Sequence, residues 1–445
     1  MANKLYTKDS IESLDPLHFT RLRPQVYAGD CTYATQLLVE IISNSIDEFR
    51  AGNGNLIVVD IDKDIVKVRD YGQGFIPNLK RDDGKTVFEA AFSVLNTSAK
   101  YREDGTYEGT SLGSFGIGAK IATFLTHWLT ATTWRDGKTE TIFFKEGEFQ
   151  KRENGKCDKN ISGTEVSWQP SEEFFTHTEV ELNNIKHLFR TTACLCPGLT
   201  IELNVNANKE TYYSENGLND LVDTNVRDKE ILKNRFIFDW SKGKDKMDMV
   251  LTYTNSYNNT IIPYVNTGLT EQGPHISQIK TYITKIFNKF LRDKKWLKDK
   301  DENLSGEDIQ EGLYMVFNLT TAGVGYDAQV KSRITKIDMK PFMTPFSEAF
   351  ENWLNQNEKE IKIIADKALN ARKAREAAKK ARDAVRQPKE KGLKAKMGLS
   401  NKFIDCISKN PSERNLLIVE GLSAGSAAVE ARNARTDCIY MLRGK

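Results

Sequence analysis

Glu40, Asn44 and Asp47 stand at i, i+4 and i+7 in the stretch LLVEIISNSIDE, so on a helix they share one face. A carboxylate, an amide and a second carboxylate in such a row are costly to desolvate unless something offsets the loss. A hydrated divalent ion with a nucleotide phosphate would do so. Downstream, Asp70 opens the string Asp70-Tyr71-Gly72-Gln73-Gly74. There the glycines let the backbone pass close to a flat ligand, and the carboxylate can accept a hydrogen bond from it. Further on, Gly113, Gly116 and Gly118 spell G-x-x-G-x-G ahead of an apolar segment, Ile117 to Leu125, in a loop with Lys100 and Lys120 at its two ends. Glycines that open a helix expose backbone N–H groups and the positive end of the helix dipole, which suits a polyphosphate. Gly118-Ala119-Lys120 lacks the G-K-[ST] of a Walker loop. A dinucleotide fingerprint is also poor, since no apolar strand runs straight into the glycines. Singly, each string has an ordinary reading: a solvated acidic helix face, a turn, a flexible loop.

The elements that must hold these residues are readable from periodicity. Leu37, Leu38, Ile41, Ile42 and Ile46 recur at helical spacing, predicting a buried amphipathic helix over Leu37 to Glu48. Leu56 to Ile61 and Ile65 to Val68 alternate as two strands around a turn at Lys63-Asp64, and the second delivers Asp70. Leu129 to Trp134, Thr139 to Phe144 and Glu165 to Trp168 read as antiparallel strands. From about residue 212 a second α/β unit begins, with strands near Phe236 to Trp240, Met247 to Tyr253 and Tyr314 to Leu319. Phe346 to Arg386 is expected as one long helix between Pro345 and Pro388. Lys367 to Lys396 carries 12 Lys/Arg against three acids. This local, one-signed excess favours a phosphate-facing role over a merely solvated face for Arg372, Lys373, Arg375, Lys379, Lys380 and Arg382.

Composition sets the outer bounds. The 445 residues are enough for two to four domains with cores of their own. With 64 basic against 61 acidic residues, global charge does not announce nucleic acid. The six cysteines form no CxxC pair, and Cys194-x-Cys196 is a poor metal signal beside the simpler expectation of buried thiols. No apolar run approaches the roughly 18 residues that span a bilayer, and MANKLYTKDS is no signal peptide, so a soluble, cytoplasmic protein is expected.

The order E-x-x-x-N-x-x-D, then D-x-G-x-G, then a glycine-rich lid resembles the ATP site of the GHKL superfamily, which includes gyrase B, histidine kinases, MutL and heat-shock chaperones. Within it, the chain resembles the ATPase part of type II DNA topoisomerases (gyrase B / ParE-like), and the resemblance covers nearly its whole length. Arg23-Pro24, Tyr27 and Gly29 resemble the R-P-G-M-Y-I-G that precedes the ATP helix there. Val265-Asn266-Thr267 with Gly273-Pro274-His275 resembles N-N-I-N-T…G-G-T-H. Gln329-Val330-Lys331 falls at Q-T-K, and ARKAREAA matches the usual A-R-x-A-R-E helix. LLIVEGLSAG (Leu416 to Gly425) and Leu442-Arg443-Gly444-Lys445 are similar to the opening of a TOPRIM domain.

The resemblance implies a multidomain α+β/α/β fold. An arm at 1–14 would precede a GHKL (Bergerat) ATPase sandwich at 15–211. A transducer α/β domain at 212–388 with the long basic helix, a linker at 389–412 and the start of TOPRIM at 413–445 would follow. It implies Glu40 as general base and Asn44 as ligand of the Mg²⁺ that travels with ATP. Asp47 would support Glu40 or cap the acidic face. Asp70 would select adenine with Thr164 and Gly74. Ile76, Ile117, Lys120 and Gln329 are further ATP contacts, Gly113 to Gly118 and Lys100 would serve the phosphates, and Lys331 would meet the γ-phosphate. Arg135 would stand at the pocket mouth, and Tyr6 of the arm would close over the partner's nucleotide. Glu420 would be one ligand of a TOPRIM Mg²⁺. The chain stops before the family's D-x-D, however, which suggests a shortened chain or one piece of a split subunit. The implied partners are double-stranded DNA, a second copy joined through the ATPase domain, and a gyrase A-like breakage-reunion subunit or domain carrying the catalytic tyrosine. Departures are Gln73 for the arginine of D-x-R-G, Val330 for the threonine of Q-T-K, Leu422 for aspartate and Ser426 for glycine. A MutL- or chaperone-like clamp, or a non-catalytic homologue, is the alternative.

Overall fold

The computed structural model describes residues 14–95, 97, 117–206, 208–226, 228–327, 332–386 and 402–442. The chain divides into two compact units, one running to Leu369 and the other from Asn370.

The first unit is built on two sheets. The larger has eight strands: β1 (Leu56–Asp62), β2 (Ile65–Asp70), β3 (Thr126–Arg135), β4 (Lys138–Lys145), β5 (Glu148–Lys156), β6 (Gly163–Pro170), β7 (Thr200–Val205) and β8 (Asn208–Tyr212). Their spatial order is β5-β4-β3-β6-β2-β1-β7-β8. All pairs are antiparallel except β1 with β7. Lys63, at φ 57°, makes the two-residue β1–β2 turn, with Asp62 paired to Ile65. On this sheet's side lie α1 (Pro16–Leu22), α2 (Pro24–Ala28), α3 (Thr35–Arg50), α4 (Val87–Ser93), α5 (Gly118–Phe124) and α6 (Leu182–Leu195), while α7 (Leu218–Val226) packs on α6 and on the second sheet. On α3 the five expected apolar positions are all buried. This helix has no capping side chain. Its start is fixed by tertiary structure instead, the Ala34 N–H donating to the carbonyls of His177 and Glu179.

The second sheet has order β12-β11-β13-β10-β9. Its strands are β9 (Phe236–Lys242), β10 (Asp245–Tyr253), β11 (Thr260–Val265), β12 (Gly268–Leu269) and β13 (Leu313–Thr320). The run LYMVFNL of β13 is buried throughout, as expected of a central strand covered on both faces. Tyr314 and Val316 pack into the core of the first sheet, whereas Leu313, Met315, Phe317 and Leu319 pack beneath α8 (Pro274–Asp293), α9 (Gly306–Gln310) and α10 (Lys340–Gln356). One strand thus joins both cores. A short pair, β14 (Gly325–Tyr326) with β15 (Ile334–Lys336), completes the unit.

The expected single helix from Phe346 to Arg386 is corrected to two, α10 and α11 (Glu358–Arg386). Helix α10 begins before Pro345 and carries it inside. An interior proline costs about 3 kcal/mol. Here that cost is offset by Phe342, Phe346, Phe350 and Leu354, all fully buried. The break falls at Asn357. Its N–H (3.1 Å) and Nδ2 (2.9 Å) both donate to the Trp353 carbonyl, while its own carbonyl accepts from Glu360 and Ile361, which starts the next helix.

The second unit holds a three-stranded sheet, β16 (Phe403–Ile404), β17 (Asn415–Glu420) and β18 (Asp437–Leu442), in the order β16-β18-β17, with α12 (Gly421–Ala431) following β17. Among the described residues no helix is long and apolar enough to cross a membrane.

Candidate nucleotide site

A cavity of about 1030 Å³ opens between α3, the β2 turn, α4 and the start of α5. Glu40, Asn44 and Asp47 all line it from α3, as their spacing predicts. Asn44 is exposed to it, and Glu40 and Asp47 are half-buried. Gln36, one turn earlier, donates Nε2 to Glu40 Oε1 at 2.8 Å and so orients that carboxylate.

The other end of the cavity is organised by Asp70, at the end of β2 and 7% exposed. Its Oδ1 accepts from the N–H groups of Gly72 (2.9 Å) and Thr164 (3.1 Å), and its Oδ2 accepts from the Ser45 hydroxyl (3.3 Å). Burial pushes the carboxyl above its ordinary range despite these donors, which pull the other way. The threonine contact present here is thus the main-chain N–H of Thr164. Gly163, at φ +115°, lies so close to the Asp70 carbonyl that a β-carbon would collide with it. Gly74, at φ +67°, stands against the carbonyls of Trp134 and Gly163 in the same way. These two positions require glycine. Thr133 fixes the turn from below, its hydroxyl accepting from the Phe75 N–H at 2.7 Å.

At the rim, Arg135 donates Nη1 to the Gln73 side chain (3.3 Å) and to the Gly74 carbonyl (3.2 Å). Gln73, which replaces the family's arginine, is therefore held by the arginine at the mouth. Ile76 and Ile117 line the walls. Gly118 opens α5 directly against Glu40, whose Oε2 occupies the space a side chain there would need. Lys120 is buried, with its ammonium donating to the Thr97 carbonyl at 2.9 Å, and burial lowers its pKa to about 8.

Of the remaining expected residues, Tyr6, Lys100, Gly113, Gly116, Gln329 and Lys331 lie outside the described residues. On α11, Lys373, Lys379, Lys380 and Arg382 are exposed. Arg372 and Arg375 are half-buried, and Arg372 pairs with Glu376 at 3.7 Å. Glu420 is exposed at the end of β17. Among the described residues the one group of three metal-type ligands is Asp405, Cys406 and Cys438, which does not include Glu420. The Arg414 guanidinium contacts both Asp405 and Cys438 there, so that corner already holds a cation. Cys194 and Cys196 are buried free thiols, as expected.

Several wall residues escaped sequence reading. Gln25, Val26 and Tyr27 arrive from α2, Val87, Ala91 and Phe92 from α4, and Gly268 and Leu269 from the second sheet. Only Tyr27 carried a local signal, within the R-P-x-x-Y string. Ser45 was legible in principle, as a polar residue on the apolar side of α3.

The family model described as DNA gyrase B matches residues 217–384. Over 99% of its length the chain is 33% identical to the B component of DNA topoisomerase 4 from Bacillus subtilis, covering 68% of that protein. It is 31% identical over 99% of its length to DNA gyrase B of Thermotoga maritima, covering 71% of it. Among solved structures, the 43K ATPase domain of Thermus thermophilus gyrase B superposes with a TM-score of 0.65 at 24% identity, over 83% of this chain and 98% of that one. The ATP-binding domain of Francisella tularensis topoisomerase IV gives a TM-score of 0.68, also at 24% identity, over 81% and 97%. With the acidic helix, the Asp70 turn and the glycine-opened α5 gathered on one cavity, the chain belongs to the gyrase B family of type II DNA topoisomerases, which takes in gyrase B and its topoisomerase IV counterpart.

Proposed function

We propose that this chain is the ATP-driven gate of a type II DNA topoisomerase. ATP bound in the cavity joins two copies around a DNA duplex, and hydrolysis releases them. The observation that carries the reading is the pairing, in one cavity, of a buried carboxylate at Asp70 with an oriented carboxylate at Glu40 facing the start of α5. Asp70 accepts the amino group of adenine while the Thr164 N–H holds its other oxygen. An acceptor of this kind, fixed by its own donors, discriminates against bases that lack the matching N–H. Glu40 takes the proton of the attacking water.

Asn44 offers a single neutral, hard oxygen donor to the cavity. That suits Mg²⁺, which keeps most of its shell as water and phosphate oxygens. When bound, the ion supplies charge neutralisation at the phosphates. Lys120 adds positive charge beside them, and Lys331, Lys100, Gln329 and the glycines at 113 and 116 are assigned to the same phosphates by their place in the sequence alone. Tyr6 is assigned to the partner's nucleotide on the same ground.

The exposed basic face of α11 is assigned to duplex DNA. The order of a strand ending in Glu420 and a helix directly after it supports a TOPRIM beginning, and a gyrase A-like partner would supply the cleavage tyrosine.

Steady-state ATP hydrolysis against protein concentration, for the wild type and Glu40→Ala, tests the reading. More-than-linear growth of activity that vanishes in the variant is expected. A wild type that binds ATP yet turns over none at any concentration sinks the enzymatic reading and leaves a nucleotide-driven clamp.

A further inference from the structure

Arg50 closes the last turn of α3. It is not among the residues that line the cavity, yet it lies 3.8 Å from Asp47, which is. Its guanidinium reaches out of the first sheet's layer into the second. Nη1 donates to the carbonyl of Asn266 (3.4 Å) and Nη2 to the hydroxyl of Thr320 (3.3 Å), with only 14% of the side chain exposed.

The turn it meets is unusual. Asn266 and Thr267 sit at φ 52° and 69°, and a β-branched residue in the left-handed region is a true outlier. Such strain persists only where the surroundings over-determine it, and here they do. The Asn266 N–H donates to the Leu319 carbonyl at 2.7 Å. Its side chain donates to the Thr321 carbonyl (3.0 Å) and accepts from the Thr321 N–H (3.1 Å). The Thr267 N–H donates to Asn318 Oδ1 at 3.2 Å.

The residues directly after this turn, Gly268 and Leu269, are the ones by which the second sheet enters the cavity wall. Gln272, a little further on, donates its N–H to the Ser332 carbonyl (3.3 Å) and accepts from the Ile334 N–H (2.9 Å). A stiff turn therefore receives Arg50 on one side, presents Leu269 to the cavity on another, and continues into a segment bonded to the strand at Ile334.

We propose that Arg50 is a positioning residue for the ATP reaction. It clamps the helix that carries Glu40, Asn44 and Asp47 onto the Asn266–Leu269 hairpin, so that a change at the nucleotide reaches the second sheet through a rigid contact. Arginine suits this role because its fixed fork of donors spans an acceptor on the turn and one on β13 at once, which a lysine point charge cannot do. The proposal rests on the reading of the cavity as an ATP site.

The test uses the full chain as wild type, Arg50→Ala, Arg50→Lys, Thr320→Val and the Arg50→Ala/Thr320→Val double variant. Affinity for a non-hydrolysable ATP analogue, amide exchange at α3 and at the hairpin, and kcat and KM for ATP are measured. In the wild type the analogue slows exchange in both places. In Arg50→Ala it still binds within about threefold and protects α3, but protection of the hairpin is lost and kcat falls about tenfold at near-constant KM, the pattern of an interaction realised only after binding. Arg50→Lys recovers part of both. The double variant is no worse than Arg50→Ala, because the pair shares one contact. Retained hairpin protection and kcat in Arg50→Ala, or losses that simply add, overturn the role of Arg50 while leaving the ATP site standing. A wild type that does not bind the analogue overturns the ATP-site reading itself, and this proposal with it.

Discussion

Glu40 Oε2 fills the place where a β-carbon on Gly118 would project, well inside van der Waals contact. The glycine at the start of α5 is therefore set by the carboxylate opposite it, in addition to any demand from a phosphate. The carboxylate is the far end of a flexible side chain, so an added methyl displaces it and leaves the backbone in place.

Gly118→Ala is thus expected to bind ATP with little change in KM while kcat falls about a hundredfold, the scale on which a misplacement near 1 Å acts. Separate kcat and KM from steady-state kinetics check this. Equal losses in both would mean that α5, and not Glu40, had moved.

Asp70→Asn tests the buried acceptor. The amide oxygen can still accept from Gly72 and Thr164, and Ser45 can turn its hydroxyl to accept from the new NH₂. An adenine amino group bound as proposed then faces a donor. Nucleotide affinity should drop roughly a hundredfold, since a hydrogen bond to a charged group contributes about 1.5–3 kcal/mol. Stability should move the other way. With its pKa raised in the fold by burial, Asp70 binds its proton more tightly folded than unfolded. Its contribution to stability is therefore present below the ordinary carboxylate range and is lost as pH rises through the raised value. Melting curves at neutral pH should show the variant at least as stable as the wild type.

Lys120 carries the opposite sign. Its pKa falls from 10.5 to about 8 on folding. Between those values the unfolded chain holds a proton that the folded chain has released, so stability rises with pH across that window. Lys120→Met should remove the slope and raise stability at neutral pH. A polyphosphate favours the charged form, so nucleotide binding near pH 8.5 should take up a proton. Calorimetry in two buffers of different ionisation heat reads that uptake directly, and its absence would separate Lys120 from the phosphates.

How far the sequence spoke depends on whether a feature is local. The face of α3, the Lys63-Asp64 turn and the delivery of Asp70 were all legible, because each follows from a period or a turn within a few residues. The Ser45–Asp70 and Arg50–Asn266 contacts were not, since they join residues 25 and 216 positions apart and no window of sequence spans them. The proline rule misplaced the start of α10: four buried side chains on one stripe outweigh the missing hydrogen bond at Pro345. The break at Asn357 turned on a side-chain amide competing for the Trp353 carbonyl, which hydrophobic periodicity does not register.

The basic half of α11 can be tested by salt. Lys373, Lys379, Lys380 and Arg382 are exposed. Replacing all four with glutamine should lower the slope of log affinity for duplex DNA against log salt by about 0.9 for each side chain that had met a phosphate. An unchanged slope would reduce the helix to a solvated face.

The glycine at 163 has a consequence for resistance. A competitor that settles on Asp70 rests on a carboxylate backed by Gly163 and flanked by Gly74, both pressed against neighbouring carbonyls, so neither glycine can gain a side chain to evict it without a main-chain collision. The rim is freer, because Gln73 and Arg135 meet there through a side-chain contact that either partner can give up. A molecule resting against the glycine turn therefore leaves that turn no mutational exit, and each arm extended toward the rim opens one.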